Sequence, residues 1–566
     1  MKTSRLKMFL AGVITCLSIT TAWADIPIDA AHFPDEGFRK WMSVTTFGED
    51  GIITDAEIDG IDHLEVVNGD DWTVKSVKGI KYFPKLTSLY MVWTIDNVDL
   101  TECPQLEVLL VGWWGECQMT SIDLSPVPNL KKFTCVGSHI KSLDLRNNPL
   151  ITDLFVWDCP DLETMDISNC KKLYDLRCDG TLLSSIDVSN CKDLYLFNCF
   201  GCPNLTSINV TGCTDLCYFS CYDTPVASID VSTCEKLAEY HCHRTNMTRL
   251  DLYHNGGITV LACTGGKLQE IILPNSLVHT IDCHDNPQLT TLNISGSSHL
   301  RTINFSNTQV ANVDLSACQE LGLLVGWGTP LSELDLTNCP DIGEIDCADT
   351  KLTSLNLSGC LQLDRVKVDN CQLITLKMPA SGCKIATLDC KDNKLSELDL
   401  RGCGQLMTLE CQNNQLTSLL LNPIIYPDDY PDFRYELGTL CVYNNKLRDT
   451  AVDALINKLL PREYETDLWF YDAISGKEGN YMTPEQVAAA KAKNWSPLYQ
   501  NYVDPSNPQP EQITWYSYEG GNISSIQLQK ADQHDGIYHT IEGIRLQGQP
   551  TQKGLYIRNN KKILVK

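Results

Sequence analysis

Apolar and polar positions alternate along most of this chain in short runs that return on a fixed period. Leu388-Asp389-Cys390 recurs as Leu409-Glu410-Cys411, 21 residues later. Between them Leu398-Asp399-Leu400 recurs as Leu419-Leu420-Leu421. Alternation over a few residues predicts a strand with one buried face. Two such strands per period predict a coil that buries its apolar side only by stacking on copies of itself. The inward column of the first strand runs Met91, Val111, Cys135, Val156, Cys178, Cys199, Cys221, Cys242, Cys263, Cys283, Phe305, Gly326, Cys347, Val368, Cys390, Cys411 and Val442. A matching second-strand column runs from Leu100 and Leu124 to Leu400 and Leu421. Most steps are 20 to 22 residues, and a Pro- and Tyr-rich insertion at 422–436 stretches one to 31.

The period and the L-x-x-L-x-(L/C)-x-x-N pattern resemble leucine-rich repeats, more narrowly the bacterial 21-residue kind in which both halves of a coil carry a strand. The resemblance covers 64–447. It implies a β-rich leucine-rich repeat solenoid of about sixteen coils with little helix, small α/β caps and a short C-terminal β segment. At ~4.8 Å per coil the array would make a rod of roughly 75 Å. With its caps the chain resembles secreted or surface proteins of anaerobic Gram-negative bacteria.

The flanking segments divide accordingly. Residues 1–24 read as an export signal, with basic Lys2, Arg5 and Lys7, an apolar run over 8–21 and Ala22-Trp23-Ala24 as cleavage site. A lipoprotein alternative would use Cys16, which follows Thr15, a poor residue before a lipidated cysteine. Residues 25–63 form an N-terminal cap, with Phe38, Trp41 and Met42 at helical spacing. In 448–503, a C-terminal cap, a helix over 449–460 with Asp449 or Thr450 as its cap is followed by a strand over 468–471. A second helix opens with the capping box Thr483-Pro484-Glu485-Gln486. A linker is expected over 504–535. The alternating, Gly-punctuated 536–566 forms the β segment and resembles C-terminal segments of exported proteins in those bacteria, some of which are type IX sorting signals.

Composition narrows the partners. A net charge of -26 excludes the clustered basic surface that nucleic acid or an anionic membrane requires. No run after the leader is long and apolar enough to span a bilayer. The 27 cysteines are not a disulfide framework by their spacing. Most fall in two columns, the first-strand one above and one formed by Cys103, Cys170, Cys191, Cys213, Cys234, Cys318, Cys339, Cys360 and Cys403. Alternation points both inward, so free, packed thiols are expected. Cys199 and Cys202 match C-x-x-C, but both are ladder positions. In His241-Cys242-His243 the thiol faces in and the imidazoles face out, so no Cys–His pair forms.

Three candidate functions of polar or aromatic residues remain. Thr46–Glu57 resembles an EF-hand loop with Asp50 and Glu57 at carboxylate positions, but Thr46 and Gly48 stand where two further ligands belong. A second-strand column of Asp123, Asp144, Asp166, Asp187, Asn209, Asp230, Asp251, Asn293, Asp314, Asp335, Asn356 and Asp399 either accepts hydrogen bonds from residues two further on or binds cations. The outward positions of the first strand, by contrast, change from coil to coil and are rich in rings: Tyr90, Phe155, Trp157, Phe200, Tyr222, His241, His243, His284 and Trp327, with Trp93, Trp113 and Trp114 nearby. Variety on a regular scaffold is what recognition requires, and aromatic groups carry most interface energy. The expectation is a non-enzymatic, exported, adhesin-like protein that binds a host or microbial protein, or a glycan, at the cell surface, with no cofactor. A structural spacer or surface-layer component is the alternative. An enzyme would need a site in the caps or the 422–436 insertion, where no catalytic motif is found.

Overall fold

The structure, a computed structural model, describes residues 25–69, 71–91, 98–101, 103–112, 117–189, 191–273, 277–422, 437–502 and 513–520. It also describes the strands Tyr538–Thr540, Arg545–Leu546, Gly554–Arg558 and Lys561–Val565. The expected export signal and the 423–436 part of the insertion lie outside the described residues. The chain forms two units that divide after Pro330.

In the first unit a short cap precedes the coils. Helix Glu36–Ser43 is capped by Asp35, whose carboxylate accepts from the Phe38 amide at 2.7 Å, and it buries Phe38, Trp41 and Met42. The predicted first strands then stack as parallel, in-register neighbours from His63–Val66 and Ser88–Met91 through to Leu323–Val325. Their central side chains, among them Leu89, Leu109, Leu154, Leu176, Ile281 and Leu324, are wholly buried. Where the second triplets were predicted, short separate parallel sheets form, as between Ser142–Asp144 and Thr164–Asp166 and between Arg249–Asp251 and Glu270–Ile272, while the triplets at Asp123, Asp230 and Asp314 run alongside without forming strands. Over 197–240 the core is aromatic: Phe219 stacks on Phe197 and Tyr240, each at 5.2 Å between centroids.

Each coil closes its first strand in the same way. Two residues past the inward column the backbone turns left-handed, at Gly137, Asp158, Gly180, Gly201, Asp223, Arg244, Gly265, Asp285, Asn307 and Gly328. Glycine, Asp and Asn tolerate that region best, which explains the column's composition. The next residue holds the coil together from inside. Thr181, Thr224 and Thr245 donate to the carbonyl three residues back at 2.9, 2.6 and 3.0 Å. Asn286 donates to two carbonyls, of Cys263 and Cys283, at 2.8 and 2.9 Å. Cys159 and Cys202 occupy the same position with weaker thiol contacts to Cys135 and Cys178 carbonyls.

The second unit repeats this construction over Glu344–Asp346, Arg365–Lys367, Thr387–Asp389, Thr408–Glu410 and Thr439–Cys441. Here Asn393, Asn414 and Asn445 fill the bridging position. The cap follows. Helix Asp449–Lys458 packs on the second-strand sheet, with Val452, Leu455 and Ile456 buried. Its N-cap is Arg448, whose side chain makes no capping bond, rather than the expected Asp449 or Thr450. Lys493 closes its other end by donating to the Ile456 and Leu459 carbonyls at 2.9 and 2.8 Å. Helix Pro484–Lys491 has the predicted capping box of Thr483 and Gln486. Strands Thr466–Asp472 and Trp495–Tyr502 extend the first sheet in parallel. The expected linker is partly wrong: Ile513–Ser517 is a strand, antiparallel to Trp495–Tyr502, and Tyr518 after it is fully buried. The Pro-, Asn- and Gln-rich residues before it masked a run of strand formers, Ile513-Thr514-Trp515-Tyr516. The C-terminal strands make a four-stranded antiparallel sheet, as the alternation over 536–566 predicted. Each unit is a leucine-rich repeat solenoid.

Among the described residues no cysteine is disulfide-bonded, and all but Cys217 are buried. Those of the second column stand where other coils carry asparagine. Asn148 and Asn255 bridge two carbonyls there at 2.8–3.0 Å, while the Cys213 thiol reaches the Val188 carbonyl at 3.2 Å. Burial pushes the Cys178, Cys199 and Cys242 thiols well above their ordinary range, so none is a nucleophile. A thiol reagent should therefore modify Cys217 in the native protein and spare the other described cysteines. Denaturation without reductant should release them all; a large shortfall of free thiols would contradict the packing role.

Candidate binding face

The two sheets present different outer faces. On the second, the acidic column closes turns. Ser125, Ser168, Ser189, Ser232 and Ser316 donate their amides to Asp123, Asp166, Asp187, Asp230 and Asp314 two residues back, at 2.8–3.1 Å. Asn209, Asn293 and Asn356 accept in the same way. This is the hydrogen-bonded alternative of the two expected for the column. A concavity of about 600 Å³ on this face is lined by such groups, including Asp144, Asp166 and Asp187. The Arg146 guanidinium holds Asp144 down to about 2, and the Ser316 and Thr337 hydroxyls lower Asp314 and Asp335. A carboxyl lowered in the folded state adds stability above its unfolded pKa, about 4, and loses it as pH falls further. The urea midpoint should drop between about pH 4 and 2, and less steeply in a variant with Asp314→Asn and Asp335→Asn, which keep the turn acceptor. Equal slopes would contradict the assignment.

The N-terminal loop is likewise used structurally. Thr54 caps helix Asp55–Gly60, and the Glu57 carboxylate accepts from the Thr54 amide at 2.8 Å. Asp50 accepts from the Ile52 amide at 3.1 Å. The two carboxylates expected at one calcium loop thus serve two different turns. Among the described residues no group of three or more His, Cys, Asp or Glu could hold a metal.

The first sheet's outer face, described here for the unit ending at Pro330, is built by register. Phe155, Arg177, Asn198, Ser220 and His241 are aligned neighbours on adjacent strands. Two residues on, Trp157, Asp179, Phe200, Tyr222 and His243 therefore form the next column. Three of these rings stack: Phe200 on Tyr222 at 4.4 Å and 8°, and Tyr222 on His243 at 4.3 Å and 18°. His241 meets His243 edge-on at 6.3 Å. Burial lowers the His243 pKa, and the Arg244 charge lowers it further. Phe155 lies 5.7 Å from Trp157 and carries the Arg177 guanidinium at 5.0 Å.

The other predicted residues stand apart. Tyr90 packs on His63 at 4.6 Å. His284 is engaged by Asp282 at 2.6 Å. Trp327 is 36% exposed. Trp93, Trp113 and Trp114 lie outside the described residues. At the strands' opposite ends is a row the sequence reading missed: Tyr174 stacks on Tyr195, and Tyr195 meets Tyr218 edge-on, both at 5.3 Å. Their spacing of 21 and 23 residues was the available signal. A further missed group in the second unit, Tyr443, Trp469 and Trp515, forms because Trp515 lies on the unexpected strand.

Arg244 is the anomaly of this face. It holds the left-handed position, φ 53°, where the other coils of this unit named above carry Gly, Asp or Asn. A non-glycine residue there costs about 1–2 kcal/mol. Its guanidinium clasps the Asp223 carboxylate with two bonds, of 2.5 and 2.6 Å, beside the ring stack. Backbone strain of this kind concentrates at working surfaces.

No family model and no curated protein matches the chain. Among solved structures it is similar to the functional domain of InlJ from Listeria monocytogenes, described as including a cysteine ladder. The identity is 23% over 70% of this chain and 78% of that one, with a TM-score of 0.49. It is also similar to the internalin InlF from Listeria monocytogenes strain 4b F2365, at 18% identity over 65% and 98% and a TM-score of 0.39. A third is the leucine-rich repeat protein LIC12759 of Leptospira interrogans, at 15% identity over 71% and 95% and a TM-score of 0.41. Among the described residues no helix is long and apolar enough to cross a membrane.

Proposed function

We propose that this chain is an exported, non-enzymatic, adhesin-like protein that binds a host or microbial protein through the first-sheet face of its N-terminal unit. One observation carries the reading: the Phe200–Tyr222–His243 stack on an outward column, flanked by Phe155–Trp157 and faced by the Tyr174–Tyr195–Tyr218 row. Solubility alone gives no reason to place rings in adjacent coils on an outer face whose counterpart is Ser, Thr and Asp. Export is supported by the sequence of residues 1–24.

The stack also favours a protein over a glycan. Sugars bind aromatic groups through exposed ring faces. Here the faces of Tyr222 are covered by its two neighbours, leaving edges and the phenol hydroxyl outward. Edges and polar tips suit the mixed apolar and hydrogen-bonding surface of a protein. Full-length protein should be screened on arrays of extracellular host and microbial proteins and of glycans, beside the variant Phe200→Ala, Tyr222→Ala. Protein hits that disappear in the variant are expected. Hits unaffected by the double substitution, or confined to glycans, would sink the proposal, and an array with no hits would favour the spacer alternative.

A further inference from the structure

We propose that Asp179 anchors a single basic side chain, arginine or lysine, of the protein partner. The inference rests on the reading of the face just given. Asp179 interrupts the aromatic column, between Trp157 and Phe200. Its place is fixed by backbone bonds from Asp158 N to Asp179 O, 2.9 Å, and from Gly180 N to Phe200 O, 3.0 Å. The residue is half-buried. Among the described residues its carboxylate makes no ion pair and no hydrogen bond to another side chain, and the same holds for neighbouring Asp158.

The bases nearby are already committed. Arg177 makes a two-bond pair with Asp175, at 3.0 and 2.9 Å, while lying over Phe155. Arg244 makes its pair with Asp223. The charge left over at this point is therefore negative. An incoming cation would meet a partly desolvated carboxylate, where attraction exceeds that of a fully hydrated pair. It would also lie beside aromatic rings that attract cations. Burial chiefly, and the Asp158 charge less, raise the Asp179 pKa, while its own backbone amide and the Arg177 charge offset this only in part. A counter-charge from the partner opposes that rise. Packing alone offers no reason for a carboxylate here.

The test uses the full chain and two blocked peptides, Gly-Ser-Arg-Ser-Gly and its neutral citrulline counterpart, followed by tryptophan fluorescence. The arginine peptide should bind saturably, and about tenfold more weakly when citrulline replaces arginine or when Asp179→Asn is introduced. Asp314→Asn, on the other sheet, should change nothing. Asp179→Asn should also raise the urea midpoint of the free protein, which a merely structural carboxylate would not do. Equal binding of both peptides, no binding of either, or full binding by Asp179→Asn would overturn the anchor. The wider reading fails separately: array hits lost in the Phe200/Tyr222 variant but kept in Asp179→Asn would leave the face intact and remove Asp179 from it.

Discussion

Asn414→Ala is expected to destabilise the second unit by about 2–3 kcal/mol, more than removal of one surface hydrogen bond. The Asn414 amide is buried and donates to the Cys390 and Cys411 carbonyls at 3.0 and 3.1 Å. Its oxygen accepts from the Leu395 amide at 2.9 Å. One side chain thus serves a buried N–H and two carbonyls on two coils; alanine leaves the Leu395 amide without its acceptor, at about 1–3 kcal/mol, and takes one of two amide donors from each carbonyl, because Asn393 also donates to Cys390 O at 3.1 Å and Asn445 to Cys411 O at 3.0 Å. Thr224 does a third of that work, bonding one carbonyl at 2.6 Å, so Thr224→Ala should cost only about 1 kcal/mol. Asn414→Thr should fall between the two. Urea unfolding measures the ranking. Loss of hydrogen-exchange protection at the Leu395 amide in Asn414→Ala should accompany it. A cost below that of Thr224→Ala would contradict the ladder.

Phe219→Ala should cost about 3–5 kcal/mol in the first unit. Phe219 is 1% exposed and lies between Phe197 and Tyr240, nearly parallel to both, at 10° and 6°. Alanine removes the ring and two stacking contacts and leaves a cavity that two flanking rings cannot close. Phe219→Leu keeps most of the volume and should cost about 1–1.5 kcal/mol. The consequence reaches the surface. Strands Leu196–Asn198, Tyr218–Ser220 and Glu239–His241, whose inner rings form this stack, are the ones that lead to Phe200, Tyr222 and His243. Phe219→Ala should therefore weaken partner binding although Phe219 touches nothing outside. Thermal unfolding and binding of Phe219→Ala beside Phe219→Leu would separate the two effects. Unchanged stability in Phe219→Ala would contradict the packed core.

The repeat was legible because period-two alternation at fixed spacing admits few structures. Leu388-Asp389-Cys390 and Leu398-Asp399-Leu400 identify both strands, and burial agrees at Leu388, Cys390, Leu398 and Leu400. The inward cysteines were legible for the same reason. Asp50 and Glu57 were harder, since a carboxylate that caps a helix and one that binds calcium occupy similar sequences. Ile513–Ser517 was overlooked although Ile513, Thr514, Trp515 and Tyr516 are strand formers: the Pro-, Asn- and Gln-rich run before it read as linker, and its pairing partner Trp495–Tyr502 is fixed only by the fold. The face was legible as a set of outward rings, but not which rings stack. That depends on equal coil lengths: Phe200, Tyr222 and His243 fall 22 and 21 residues apart, and intervening Thr264 separates His243 from His284. Arg244 and Asp179 were missed because strain and an uncompensated charge show only once neighbouring coils are side by side.

The claim on which the account turns is that one sheet face recognises and the other only folds. Affinity for a protein partner found on the array should be compared in two variants of equal fold by circular dichroism. Phe200→Ala, Tyr222→Ala alters the first face, and Asp314→Asn, Asp335→Asn alters the second. The account predicts at least about a hundredfold loss in the first variant and unchanged affinity in the second; equal affinity in both, or loss only in the second, would contradict it.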